Sequence, residues 1–583
     1  MAMTVKNSYL LPFIVFCVCA IQPAGARPML WQQEGIVLSD FRSVCSGEWR
    51  AIDYESERFN GTMLYAPKGV KPEAVTVDPD LKGWHRVYVA TFATGHDRAA
   101  RLQLRLEGDG SPSLFRRGEI WDAWTPGEKG EEVFWKCADL TGKRVTVGKA
   151  SAEGEIGLMW LRFEPMTADE IAAAKAEFAD PSNRRLHAHC DMEWMHYRYG
   201  DRLTPDERCG VIDAFAQSDV GTASLEIWDH TLEANRDFYR ECVRRAEQYG
   251  VRVYAAYRMS ECRLVLPWLF EFPYANEHPE FHCRDRDGEA VTSVSYAFPE
   301  VGAHEVERVA GLLDLGFHGV SPILHRGVQL LWEKPLVDRF RAKYPDLDPR
   351  TLSLDDPRLA EVRCALVTEN FMRPLRRRLD AFAAEHGRGR LHINPIVPCT
   401  IVDCRRQGLD VEGWVREGLV DSVVFGMMRI WEDEERFRDE SKPGFLSVEK
   451  YAACKRSGEN PVRRAHGNKL LETFAEEAAR NVRLSRETGV RFYYDLHWEG
   501  TILPEKIAAR AARLYGAGAE GLSLWDCFEL RVSNRDEWFV TSRLGHKGEL
   551  ESMPKENEGY RKLFRILKID GISISSYHPN WIG

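Results

Sequence analysis

The sequence predicts an α/β protein: a (β/α)8 barrel preceded by an all-β, jelly-roll-like sandwich. Three observations carry that prediction. From residue 186 to about 530, short runs of strand character alternate with helical periodicity eight times, as a closed parallel barrel requires. From about 30 to 165 there are only short alternating runs between Gly, Asp and Pro turns. The chain has 583 residues, 44% hydrophobic and 29% charged, enough to build more than one full core.

The first 26 residues read as a secretory signal. A single Lys6 precedes an apolar run from Tyr9 to Ile21, and Ala24-Gly25-Ala26 supplies a small-residue cleavage site. The run is short for a membrane span, and no later segment is long and apolar enough to cross one. The expected location is therefore secreted or periplasmic, with no membrane span after signal removal.

Residues 30–165 hold the strand-like runs Trp84 to Phe92, Leu102 to Glu107, Val133 to Lys136 and Gly157 to Phe163, with turns such as Gly108-Asp109-Gly110. Residues 166–183 read as a linker, with Thr167 capping a short helix from Ala168 to Phe178. The barrel is expected over 184–570 and a tail over 571–583. Its eight predicted strands are 186–193, 222–229, 251–258, 319–324, 391–395, 422–428, 490–497 and 521–526. Between them lie helices near 205–217, 232–249, 303–315, 359–386, 446–454, 470–487 and 503–516. Pro205 opens the first, Gly250 ends the second, and a helix near 556–567 is expected to close the ring. The connection from strand three to about 300 is long enough to suggest a function.

The first of these strands, Leu186-His-Ala-His-Cys-Asp-Met-Glu193, is the most informative. His187, His189, Asp191 and Glu193 share one face; Ala188, Cys190 and Met192 share the other. Two imidazoles and two carboxylates on a barrel's inner face are costly to bury without a partner or a purpose.

A net charge of -10 without a long basic block argues against nucleic acid. No Gly-rich phosphate loop is present, so no nucleotide cofactor is expected. Of 14 Cys, Cys17 and Cys19 fall in the signal, leaving 12 scattered without a C-x-x-C. Mostly free, buried thiols are expected, with Cys399 and Cys404 the best local disulfide pair.

The barrel resembles the uncharacterised family-10-like glycosyl hydrolase proteins of bacteria, secreted barrels with a β-rich module. The matching stretches are His278-Pro-Glu-Phe281 with Asp285-Arg-Asp-Gly288, Ser295 to Val301, Gly316-Phe-His-Gly-Val320 with His325-Arg-Gly327, and Gly408 to Asp421. Such barrels carry an acid late in strand four, in a pattern like D-G-V-x-L-D. Here that position is Ile323. The β-rich module resembles galactose-binding-like jelly rolls, in which loop residues such as Trp121 and Trp124 could stack on sugar.

The resemblance implies a poly- or oligosaccharide as substrate. Glycoside hydrolysis needs two carboxyl groups across the scissile bond, one of them protonated. Active sites form at the C-terminal ends of barrel strands. The preferred pair is Glu226 with Asp495, and Glu499 is held in reserve. Around them, His189, Asp191, Glu193, Asp229, Tyr257, Glu261, His325, His497 and Asp526 are expected to line the mouth. Trp194, Trp228, Trp498 and Trp525 suggest a stacking platform. Arg326 and Arg429 would pair with an acidic sugar or neutralise the surplus carboxylates. Two alternatives stand beside this reading. His187-x-His189 resembles the metal-binding pair of amidohydrolase barrels, with Asp526 as the last acid, in an otherwise metal-free protein. The missing acid at Ile323 suggests instead a non-catalytic saccharide-binding protein on a decayed barrel.

Overall fold

The computed structural model describes residues 35–573 except 93–100, 110–111, 116–128, 193–207, 260–272, 285, 289, 326–328, 427–466, 497–503, 526, 528–537, 539, 552 and 554–560. The eight barrel strands are Leu186–Asp191, Val220–Glu226, Arg252–Arg258, Gly319–Ile323, the split pair His392–Ile393 and Ile396–Val397, Ser422–Phe425, Arg491–Asp495 and Gly521–Leu524. They are called barrel strands one to eight below. Every pairing between neighbours is parallel. Strand one bonds both strand two (Asp191 beside Glu226) and strand eight (Ala188 beside Leu524), and strands three and four meet at Arg258 and Ile323. The ring is therefore closed.

Helices cover it outside. Asp229–Gln248 follows strand two, Pro299–Ala310 follows strand three, and Gly467–Thr488 and Pro504–Gly516 flank strand seven. The first of these stops at Gly250, whose φ of +66° an L side chain resists. Gly319 opens strand four because its backbone passes against strand five: a Cβ there would lie 2.1 Å from the His392 carbonyl oxygen. Strand five breaks at Pro395, which has no N–H for the ladder. The long helix expected over 359–386 is Pro357–Val367 and Arg373–Glu385, joined by a π-helical turn at Thr368–Met372. Pro374 lacks the N–H that regular helical bonding would use there.

The strand face that carries Ala188 and Cys190 belongs to one large buried apolar cluster shared with the helices. Thr167 caps the helix Ala168–Ala176 as expected, and does so through a capping box: its hydroxyl accepts from the Glu170 N–H at 3.3 Å, and Glu170 accepts from the Thr167 N–H at 2.8 Å.

Residues 36–165 are β-rich, as their alternation predicts, but they are not complete alone. Six antiparallel strands close into a ring in the order 156–165, 60–66, 50–56, 561–569, 129–139, 84–92 and back to 156–165. A four-stranded sheet of 75–77, 145–149, 102–106 and 113–115 contributes to the same buried cluster as one face of that ring. Of the stretch expected to be the final helix near 556–567, residues 556–560 lie outside the described residues and the rest belongs to the strand Arg561–Ile569. It sits between 50–56 and 129–139 and buries Phe564 and Ile566. Residues 561–569 therefore pair with the N-terminal strands and not with the barrel. Cys399 and Cys404, the best local candidates for a disulfide, are both buried and not joined to each other. The ten described cysteines are all unbridged.

Glu132 and Lys149 are among the polar groups buried in this module. Glu132 accepts from Arg58 at 2.7 Å, from Arg162 at 2.9 Å and from the Trp160 indole at 2.5 Å, and Arg162 also pairs with Glu164. The Lys149 ammonium donates to the carbonyls of Gly154, Pro67 and Val70 at 2.6, 2.7 and 2.8 Å. Lys149→Met strands those carbonyls without a donor. We expect it to lower stability by about 3 kcal/mol, read as a lower urea midpoint.

Candidate functional site

The inner faces of barrel strands one, two, three, seven and eight bring the polar residues together in layers. In the lower layer His187, on strand one, bridges its two neighbouring strands. Its Nδ1 lies 3.0 Å from Ser523 Oγ on strand eight and its Nε2 2.8 Å from Ser224 Oγ on strand two. Burial, and then the neighbouring His189, pushes its pKa down to about 3. Both ring nitrogens are occupied by serine hydroxyls, so ligating a metal would require breaking one of these bonds. Among the described residues no cluster of three His, Cys, Asp or Glu could hold a metal ion; Asp526 lies outside them.

His187 makes stability depend on pH. The unfolded imidazole takes a proton near pH 6.5 and the folded one resists it to about 3. The contribution is complete above pH 6.5 and is lost as pH falls towards 3. Between pH 7 and 4.5 native protein is expected to lose about 2–3 kcal/mol more than His187→Gln, measured by urea unfolding at both pH values.

The upper layer is centred on Glu226, the last residue of strand two and fully buried. Arg258 Nε lies 2.5 Å from Oε1, the Trp228 indole donates to Oε1 at 3.0 Å, and His189 Nε2 lies 3.2 Å from Oε2. Arg258 reaches Asp191 at 3.4 Å and lies 5.4 Å over the Trp228 ring. His189 stacks flat on Trp525, with ring centroids 3.6 Å apart and planes 2° from parallel. His325 meets the same indole edge-on at 5.0 Å. Trp525 is thus a buried floor beneath the mouth, with one face already taken. The Trp228 indole donates to Glu226 and the Arg258 guanidinium pairs with it as a cation, so its carboxyl group works as an acceptor.

Asp495 ends strand seven, buried beside Ser523 in register. Ser523 in turn bonds His187, so Asp495 shares the inner face with the imidazole layer. At the end of strand four, Ile323 stands beside Arg258 and is fully buried, so this position supplies packing rather than a carboxylate.

The structure thus gathers His187, His189, Asp191, Glu226, Trp228, His325, Asp495 and Trp525 on the inner side of the barrel. Tyr257 is not among them: it faces the helix layer, where Arg308 lies 4.2 Å over its ring. Asp229 begins the helix after strand two. Glu193, Trp194, Glu261, Arg326, Arg429, His497, Trp498, Glu499 and Asp526 lie outside the described residues, as do Trp121 and Trp124. The sequence reading missed Arg258, the residue that ties Glu226 to Asp191. Its position was visible, because it ends strand three in the same parity as Ala256 and Tyr254, but alternation alone cannot tell an inward guanidinium from a solvated one.

The chain is a closed (β/α)8 barrel with an all-β module, and its site is a carboxylate-rich strand-end cluster. No protein-family model and no curated protein matches it. Solved structures similar to it include the PgaB (BpsB) glycoside hydrolase domain from Bordetella bronchiseptica, 11% identical over 63% of this chain and 98% of that one, with a TM-score of 0.42. Others are an alpha-galactosidase from Thermus thermophilus (14% identity, 94% and 99% covered, TM-score 0.31) and a class V chitinase from Nicotiana tobaccum (9%, 62% and 98%, 0.30).

Proposed function

We propose that this protein is a secreted glycoside hydrolase that cleaves a poly- or oligosaccharide with Glu226 and Asp495 as its carboxyl pair, Glu499 remaining the reserve. The observation that carries the reading is the placement of Glu226: a fully buried carboxyl group at a strand end, held by Arg258, Trp228 and His189. Holding one carboxyl group rigidly as an acceptor suits the charged member of a hydrolytic pair, which attacks the sugar or activates water. The other member must carry a proton, and Asp495, buried at another strand end, suits that role. The family-10-like resemblance of 278–288, 316–327 and 408–421 supports the same class, and the apolar run before Ala24-Gly25-Ala26 supports export. In this reading the β-rich module binds or positions the glycan.

One observation favours a second reading, a saccharide-binding protein without catalysis. Strand four ends in Ile323, where the resembling barrels have an acid. The two are separated by incubating the purified protein with a panel of oligosaccharides, measuring reducing-end release and, separately, binding by calorimetry. Under the hydrolase reading Asp495→Asn loses about 100-fold or more in kcat while binding persists. Binding without release in the native protein would establish the second reading. Release that Asp495→Asn leaves unchanged would remove Asp495 from the pair.

A further inference from the structure

Cys209 and Cys242 are both fully buried, and their sulfur atoms lie 3.6 Å apart. Cys209 immediately precedes the helix Gly210–Phe215, and Cys242 lies in the helix Asp229–Gln248. Polar pins hold these segments together on both sides of the thiols. Arg208 donates to Asn235 at 2.9 Å; Arg245 and the Tyr249 hydroxyl donate to Asp213 at 2.8 and 2.7 Å. The two sulfurs are therefore held facing each other by contacts that do not involve them. The neighbouring thiol, Cys190, is turned away and donates to the Cys527 carbonyl at 3.0 Å.

We propose that Cys209 and Cys242 form a structural disulfide when the chain meets an oxidising environment. The sulfurs must close from contact to about 2.05 Å, within reach of side-chain rotation and a small helix shift. The oxidant is a disulfide, either glutathione disulfide or an exchange protein. One cysteine thiolate attacks it, breaking its S–S bond and releasing one thiolate. The second cysteine thiolate then displaces the other half from the mixed disulfide. Two cysteine thiols are oxidised by two electrons in total, and their two protons pass to the two thiolates released, so the oxidant is reduced to two thiols. Burial pushes the Cys242 thiol well above its ordinary range, with the adjacent Cys209 adding to this, so the exchange belongs to folding or to partial opening.

The bond would close a loop containing the whole of barrel strand two, and so would clamp the segment that presents Glu226. It does not depend on the glycosidase reading; only its formation in the cell depends on export.

The test is a thiol map of the full-length protein. It is produced in an oxidising compartment, and a second sample is equilibrated with glutathione disulfide in partly denaturing urea. Both are alkylated without reduction and digested for mass spectrometry. The expected result is one joined peptide pair carrying Cys209 and Cys242, neither alkylated until a reductant is added. Cys242→Ser, or Cys209→Ala if that variant does not accumulate, should leave the remaining partner alkylated. Alkylation of both residues without reduction in the glutathione-treated sample would overturn the proposal, as would pairing of either with another cysteine.

Discussion

Glu226→Gln is expected to lower kcat for glycan cleavage by about 1000-fold or more, with the fold retained. The amide keeps the shape and one acceptor oxygen, so Trp228 retains its partner. It removes the charge that Arg258 and His189 surround, and with it the ability to attack or to activate water. Arg258 keeps Asp191 as a partial partner at 3.4 Å, which limits the structural damage. The measurement is the initial rate on whichever oligosaccharide the native protein cleaves, with the circular dichroism spectrum compared between the two. A variant within tenfold of the native rate would remove Glu226 from the chemistry and leave it as a strut between strands two and three.

The second large effect is in the N-terminal module. Glu132→Ala should cost about 3–5 kcal/mol, because it leaves the Arg162 guanidinium buried beside Glu164 alone and takes the acceptor from Trp160. Burial by itself would raise the Glu132 carboxyl group, but hydrogen bonding from Arg162, with Arg58 beside it, outweighs this and holds it below its ordinary range. Its contribution is thus present above the usual carboxylate range and is lost as pH falls through the lowered value. Urea unfolding of the module at neutral pH reads the effect; a loss under about 1 kcal/mol would show that the network relaxes or admits water. Glu132→Gln, which keeps an acceptor, should cost less.

Glu226 was legible because strand-two residues of one parity had to face inward, and a carboxylate at an inward strand end is conspicuous. The inward histidines of strand one were legible for the same reason. Their partners were not. Arg258 reads in the sequence as an ordinary strand-end charge, and only barrel closure shows it between Glu226 and Asp191. Trp525 reads as a platform for sugar, yet His189 lies flat on it and His325 meets its edge. Tyr257 reads as a mouth residue, yet strand-three parity turns it towards Arg308. Closeness in sequence made Cys399 and Cys404 the best local candidates for a disulfide, whereas the pair in contact is Cys209, just before the helix Gly210–Phe215, and Cys242, within the helix Asp229–Gln248.

The sequence by itself determined the class of fold. Hydrophobic period and turn chemistry are local properties, and eight repeats of strand and helix leave few ways to bury every apolar face. Only the tertiary structure decided where residues 561–569 go. Their alternation suits a strand that buries Phe564 and Ile566, but nothing local says that its neighbours are 50–56 and 129–139, hundreds of residues earlier. Strand pairing is a long-range contact, decided by which edge remains unpaired after the rest of the chain has folded.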